Sequence, residues 1–456
     1  MKVLQIVHGF PPDNTAGTEV YTYNLSSELA KRHNVFVFYR INDLNIKEYT
    51  LTHARLNGFR AFAINNTFRL YDSFKSTYKN KIIAQKLGLI LDQVSPDIVH
   101  IQHLMYLGAE LIKEIKKRSL PIVFTLHDYW LLCPQGQLLE FNLWLCNNKE
   151  NETKCFQCII YQLSIKKNVF IAYYLLKKYI PEVAFRLLKD IYLKCCKFTF
   201  LTESKAGPQI KERTSYIKYI SSGVDLFIAP SQFLRQKFIE FGIAKNRTAY
   251  ITYGFNFSNF KNLSKVYSAK LRFGFIGNLL PAKGVHILIQ SFNNIRNQNV
   301  ELKIYGQAVS YKSILTNYLG YIRKIARNKN IRFMGGFDNK DVAKVFAEID
   351  ILVVPSIWYE NSPLIIQEAF AAQTPVIASR IGGIPELIDD GINGVLFEPN
   401  NPEDLYEKIN LIIENPSLIE KIRQNIKPPK SIEENAKEME EIYSKLIIGK
   451  NCDIYH

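Results

Sequence analysis

Four runs in the first half of the chain, VLQIV (3–7), VFVFY (35–39), DIVHI (97–101) and IVFTL (122–126), are almost wholly apolar and are separated by amphipathic stretches. A strand with water on one face alternates apolar and polar residues, whereas a run without alternation needs cover on both faces. That is the position of a strand in a parallel sheet with helices above and below. The rhythm starts again after residue 270 with LRFGFIGN (271–278), VELKIYG (300–306), IRFMGG (331–336), DILVVPS (350–356) and PVIAS (375–379). Two such series predict two consecutive doubly wound α/β units. A chain of 456 residues also exceeds what one core usually serves.

The polar stretch NFSNFKNLSKVYSAK (256–270) separates the two series and reads as the linker. The expected domains are therefore 1–260, with an irregular, basic helical insertion at 141–224, and 270–430. KPPK (427–430) ends the second unit, and Ser431 with Glu434 three residues on forms a capping box that starts a last helix in 431–456. That helix follows a completed core and has to pack elsewhere.

A 47% hydrophobic and 22% charged composition excludes a disordered chain. The net charge of +16 divides unevenly, +14 over residues 1–260 and +2 over 261–456. A basic half suits nucleic acid, an anionic membrane surface or a phosphorylated substrate, and the chain shows no nucleic-acid recognition module. Residues 161–200 carry +6, with Lys167, Lys178 and Lys189 at eleven-residue intervals on one helical face. Such a face lies on anionic lipid or is simply solvated. MKVLQIVHGFPP lacks the apolar core of a secretory signal, and the run Val169–Leu176 falls short of the roughly 20 residues that span a bilayer. The expectation is a cytoplasmic protein, soluble or peripheral at the inner face of the membrane.

Candidate site residues follow strands. In SIWYENSPLIIQEAF (356–370), Ser362 and Pro363 are suited to start a helix, with Glu360 in the preceding loop and Glu368 on the second turn. The two glutamates then flank a helix N-terminus whose free N–H groups favour an anion such as phosphate. Glu368, set among apolar residues, needs hydrogen-bond donors, and ribose hydroxyls would serve; a basic neighbour would serve equally. GNLLPAKG (277–284) gives a glycine turn followed by Lys283, and Gly382 and Gly383 in SRIGGIPELI either approach a ligand or turn the chain. In the first half, HGFPPDNTAGTEV (8–20) places Gly17 before a helix, and TLHDYW (125–130) puts His127 and Asp128 at a strand end. Cys133, Cys146, Cys155 and Cys158 end in a CxxC pair, compatible with a structural zinc or with free thiols.

Taken together, HGFPP…AGTE, TLHDYW, GNLLPAKG and ENSPLIIQE followed by PVIASRIGGIPELI resemble the retaining glycosyltransferase family 4 of the GT-B fold, in order and spacing across nearly the whole chain. The resemblance implies two Rossmann-like domains facing each other across a cleft, the first binding the acceptor and the second the nucleotide sugar, with the last helix crossing back to the first. It implies sugar transfer from a nucleotide diphosphate sugar to an acceptor hydroxyl, with retention and without a catalytic metal or other cofactor. By the same resemblance Glu360 meets the donor sugar, Glu368 the ribose, and Asn361, Ser362, Pro363 and Leu364 the sugar and diphosphate. Lys283 neutralises the diphosphate, Gly17 approaches the donor, and His127 contacts the transferring sugar.

Two positions depart from the family pattern. Asn278 stands where an arginine is common, and Ala16–Gly17 replaces a glycine pair. The expected acceptor is a cell-surface polysaccharide or glycolipid precursor. The alternatives are a sugar-nucleotide epimerase of the same fold and a non-catalytic nucleotide-sugar-binding scaffold.

Overall fold

Each apolar run forms a strand in the computed structural model, which describes residues 1–456 except 57, 68–73, 141, 148–153, 156–157, 160–202, 262, 309–316 and 450–456. The first unit contains β1 (Lys2–Val7), α1 (Gly17–Leu29), β2 (Asn34–Ile41), β3 (Leu51–Leu56), β4 (Phe59–Asn65), α2 (Lys81–Val94), β5 (Ile98–Ile101), α3 (Glu110–Lys116), β6 (Ile122–Thr125), α4 (Glu203–Ser221), β7 (Leu226–Ala229), α5 (Gln232–Phe241) and β8 (Thr248–Tyr250). Its sheet order is β3-β4-β2-β1-β5-β6-β7-β8, parallel except for the β3–β4 pair.

The second unit contains β9 (Leu271–Ile276), α6 (Val285–Phe292), β10 (Val300–Tyr305), α7 (Tyr318–Ile325), β11 (Ile331–Gly335), α8 (Val342–Ala347), β12 (Ile351–Val354), α9 (Leu364–Ala371), β13 (Val376–Ser379), β14 (Val395–Phe397), α10 (Pro402–Glu414) and α11 (Pro416–Gln424). Its six parallel strands run β11-β10-β9-β12-β13-β14.

Both sheets reverse strand order next to their first strand, between β1 and β5 and between β9 and β12. At such a switch point neighbouring loops leave the strand ends in opposite directions and open a crevice, which is where ligands of these sheets bind.

Successive side chains of β1 serve opposite cores. Leu4 and Ile6 join α2 and α3, whereas Val3 and Val7 join Tyr21, Leu25 and Leu29 of α1. The last helix, α12 (Ile432–Ile447), completes that second face with Ile432, Ala436, Met439, Ile442 and Tyr443, all buried against the first domain. Its capping box forms as read: Ser431 Oγ accepts from Glu434 N at 3.1 Å, and Glu434 Oε2 accepts from Ser431 N at 2.8 Å. Tyr443 OH lies 2.6 Å from Nδ1 of His100, whose burial holds it down at about 3 and therefore neutral.

The linker is less open than its composition suggests. Phe260 is buried, and Lys265 Nζ donates to the carbonyls of Phe346 and Ile349 and to Thr374 Oγ1. Residues 167, 178 and 189, the run 169–176 and most of the 141–224 insertion lie outside the described residues. Among the described residues no helix is long and apolar enough to cross a membrane.

Candidate active site

The loops after β1, β5 and β6 and those after β9 and β12 line one cavity of about 380 Å³ between the two domains. Its floor on the second domain is built on Glu360, 4% exposed. Three donors converge on Glu360 Oε1: Lys283 Nζ at 2.7 Å, Ser356 Oγ at 2.7 Å and Trp358 Nε1 at 2.8 Å. Lys283 also lies 5.4 Å from the centre of the Trp358 ring, a cation–π distance. Among the described lining residues Lys283 is the one lysine or arginine.

The glycines of the two second-domain motifs hold this floor from behind. Gly284 has φ +68°, and a Cβ there would stand 1.7 Å from the Pro355 carbonyl oxygen. Gly382 and Gly383 pack on the backbone of Glu360 and Asn361, and Gly383 N donates to Glu360 O at 2.7 Å. They turn the chain against the site loop rather than lining the cavity.

Helix α9 begins at Leu364 with Pro363 at its cap, so the expected serine cap does not form. Ser362 turns its hydroxyl inward, where Oγ is buried with no protein partner. Asn361 donates from Nδ2 to His127 O across the cleft at 2.6 Å, and its Oδ1 is likewise buried without a partner. Two orphaned polar atoms therefore sit just ahead of α9, on residues that share the cavity with Lys283. Unpaired buried groups of this kind cost about 1–3 kcal/mol each, an expense that a ligand can relieve.

On the first-domain side His127 lines the cavity, but its ring is already engaged. Gln102 Oε1 accepts from Nε2 at 2.7 Å, and Tyr253 OH donates to Nδ1 at 2.6 Å. Burial lowers the imidazole well below its ordinary value, so it is neutral and held in the Nε2–H tautomer. The backbone carbonyl of the same residue is the group that Asn361 meets across the cleft. Gly17 starts α1, and a Cβ on it would meet Leu364 Cδ1 at 3.6 Å, so α1 and α9 begin face to face.

Sequence reasoning named Asp128 beside His127 but missed the histidines grouped with it. His103 Nε2 lies 3.0 Å from Asp128 Oδ2, His8 Nε2 lies 3.2 Å from Glu19 Oε1, and the two imidazoles are 4.2 Å apart. The signal for them is their shared place just after parallel strands or at a helix start.

Two expected site residues fall outside the lining. Asn278 is exposed, which leaves Lys283 to supply the cavity's positive charge. Glu368, one turn beyond Leu364, keeps a partial opening to solvent, and its carboxyl group makes no hydrogen bond to a described residue; burial pushes that carboxyl up to about 8. The four cysteines surround a separate cavity, and among the described residues no three His, Cys, Asp or Glu side chains already converge as a metal set.

The domains are also clasped at the cavity rim. Glu386 accepts from Gln232 N and Phe233 N, both at 2.7 Å, at the first turn of α5 in the other domain. A carboxylate at a helix N-terminus is stabilising through the free N–H groups and the helix dipole. Glu386→Ala is expected to open the cleft, seen as an increased radius of gyration in small-angle scattering. An unchanged profile would show that other contacts hold closure.

Solved structures share this architecture from end to end. Anabaena Alr3699/HepE in complex with UDP and glucose aligns over 97% of this chain and 99% of that one, with TM-score 0.64 and 16% identity. Sucrose-phosphate synthase from Thermosynechococcus elongatus aligns over 98% and 100%, with TM-score 0.68 and 16% identity. The fold is GT-B. Within this GT-B chain, residues 15–158 match the family Glycosyltransferase Family 4, and residues 257–438 match Glycosyl transferases group 1. An uncharacterized glycosyltransferase of Methanocaldococcus jannaschii is 33% identical over 241 residues, 51% of this chain and 60% of that protein. A D-inositol 3-phosphate glycosyltransferase of Corynebacterium kroppenstedtii is 30% identical over 135 residues, 28% of this chain and 30% of that protein. The GT-B chain thus spans less than two thirds of the length of the curated relatives it matches.

Proposed function

We propose that the chain transfers a sugar from a nucleotide diphosphate sugar to an acceptor hydroxyl with retention of configuration. The observation that carries this reading is the pair of orphaned atoms, Asn361 Oδ1 and Ser362 Oγ, just ahead of α9 in residues that line the same cavity as Lys283. An acceptor oxygen, a hydroxyl, free helix N–H groups and one ammonium suit a sugar hydroxyl next to a diphosphate.

In this reading Lys283 keeps one N–H on Glu360 and turns another to the leaving phosphate, stabilising charge that develops in the transition state. Glu360 meets a donor-sugar hydroxyl with Oε2, and Glu368 the ribose. The bond from the anomeric carbon to phosphate breaks, the bond to the acceptor oxygen forms on the same face, and the acceptor proton passes to the phosphate oxygen. No general base is assigned to His127, because Tyr253 already fills Nδ1. The +14 charge of residues 1–260 supports an anionic, lipid-linked acceptor at the inner membrane face, used in cell-surface polysaccharide or glycolipid synthesis.

The test is a panel of nucleotide sugars scored by thermal shift and then by turnover. UDP-sugars come first, because UDP is bound in two solved structures of Anabaena Alr3699/HepE. The true donor raises the melting temperature by mass action and is consumed faster when acceptor is present. Epimerised donor formed without acceptor would favour the epimerase instead, and a shift without turnover the scaffold.

Donor binding should also depend on pH. With its folded value raised from 4.5 to about 8, Glu368 is protonated in the free site at neutral pH. Accepting two ribose hydroxyls favours the carboxylate, so binding releases a proton. Affinity is expected to rise by up to about tenfold per pH unit as the pH climbs toward 8 and then to level off. Stability runs the other way: the folded state binds the extra proton, so this group's contribution is lost between pH 4.5 and about 8. Glu368→Gln should flatten the binding profile in calorimetry at several pH values.

A further inference from the structure

Cys133, Cys146, Cys155 and Cys158 come from three separate turns of chain, yet all four line one cavity of about 210 Å³ on the first domain. Cys146 N donates to Leu138 O at 2.8 Å within a small hairpin closed by the Leu139–Leu145 bridge. Gln135 Nε2 donates to Cys158 O at 2.7 Å, tying the CxxC turn to the segment that follows Cys133.

An independent observation concerns charge. Arg213 is 1% exposed, and its hydrogen bonds go to the carbonyls of Trp130 and Leu131, with no carboxylate paired to it among the described residues. Its guanidinium also lies 5.3 Å from the centre of the Trp130 ring and 6.0 Å from that of Tyr78. On the outer side of the cavity stands Lys154, bound to Glu140 at 2.8 Å. A buried cation without an ion-pair partner is costly, and the carbonyls that hold this one, those of Trp130 and Leu131, stand just ahead of Cys133 in the chain.

We propose that the four cysteines hold one structural zinc ion as a tetrathiolate. Binding replaces four thiol protons, and the resulting net charge of about −2 faces Arg213 from within and Lys154 from without. Zinc–sulfur bonds of about 2.3 Å require the thiols to swing inward from the cavity wall. The ion would fasten residues 133–159 to the loop after β6, where Tyr129 N donates to Gly136 O at 3.0 Å and Asp128 holds His103 in the cleft.

The test is metal analysis of the full chain purified under reducing conditions, by inductively coupled plasma mass spectrometry. The expected result is about one zinc per chain, released by mercurial titration of the thiols and lost from Cys155→Ser/Cys158→Ser. If that variant fails to fold, cobalt exchanged into the wild-type protein should give a thiolate-to-cobalt charge-transfer band. Protein without stoichiometric metal, two disulfides in its place, or zinc retained when all four cysteines are changed to serine would each overturn the proposal. None of these readouts depends on the transferase reading.

Discussion

Lys283→Ala is expected to lower turnover by about 10²–10³, the range found when one preorganised charge partner of a transition state is removed. The reason is local scarcity: no second lysine or arginine lines the described cavity, and Asn278 offers no replacement. The same substitution strips a buried carboxylate of its counter-charge. Glu360 keeps Ser356 and Trp358, so the stability loss should stay near 1–2 kcal/mol, read as a fall of a few degrees in melting temperature. Adding Glu360→Gln should restore stability without restoring turnover. A Lys283→Ala enzyme with wild-type kcat would remove Lys283 from the site.

The second large effect is structural. Gly284→Ala combines a left-handed φ of +68° with a Cβ placed 1.7 Å from the Pro355 carbonyl oxygen. Backbone strain and overpacking together should cost about 3 kcal/mol or more. The displaced segment includes Ile357, whose N donates to Ala282 O at 2.9 Å, and leads directly to Trp358 and Glu360. Denaturant melts should therefore show a marked loss of stability, and any folded fraction should bind donor poorly. Gly391→Ala is the control, since φ is +76° there but nothing lies within 4 Å of the added carbon. Its cost should be confined to backbone strain of about 1 kcal/mol; equal losses in the two variants would show that the Pro355 contact is unimportant.

Much of the scaffold was legible because strands buried on both faces announce themselves as unbroken apolar runs. The last helix was legible because a capping box is a local pattern of four residues, Ser431 to Glu434. The antiparallel β3 was not, since LTHARL alternates weakly and carries His53 and Arg55. Nor was β7, where LFIA is too short to be distinguished from any buried segment. Within the site, Lys283 and Glu360 were named from motifs, but their bond to each other spans 77 residues. Ser362 shows the converse: its type and position favour a helix cap, and tertiary packing turned it inward instead.

The sequence by itself determined two doubly wound units, a last helix needing a host, and loops with the side chains to bind an anion at strand ends. These are consequences of local periodicity and turn chemistry, which act within a few residues. Only the tertiary structure decided what those loops do together. The two sheets set their switch points against one cleft; Asn361 reaches His127 across 234 positions, and Glu386 reaches α5 across more than 150. It also occupied both nitrogens of His127, which lines the cavity, with Gln102 and Tyr253. The physical reason is that burial and hydrogen-bond satisfaction are settled between distant segments at once, and no local pattern carries their outcome.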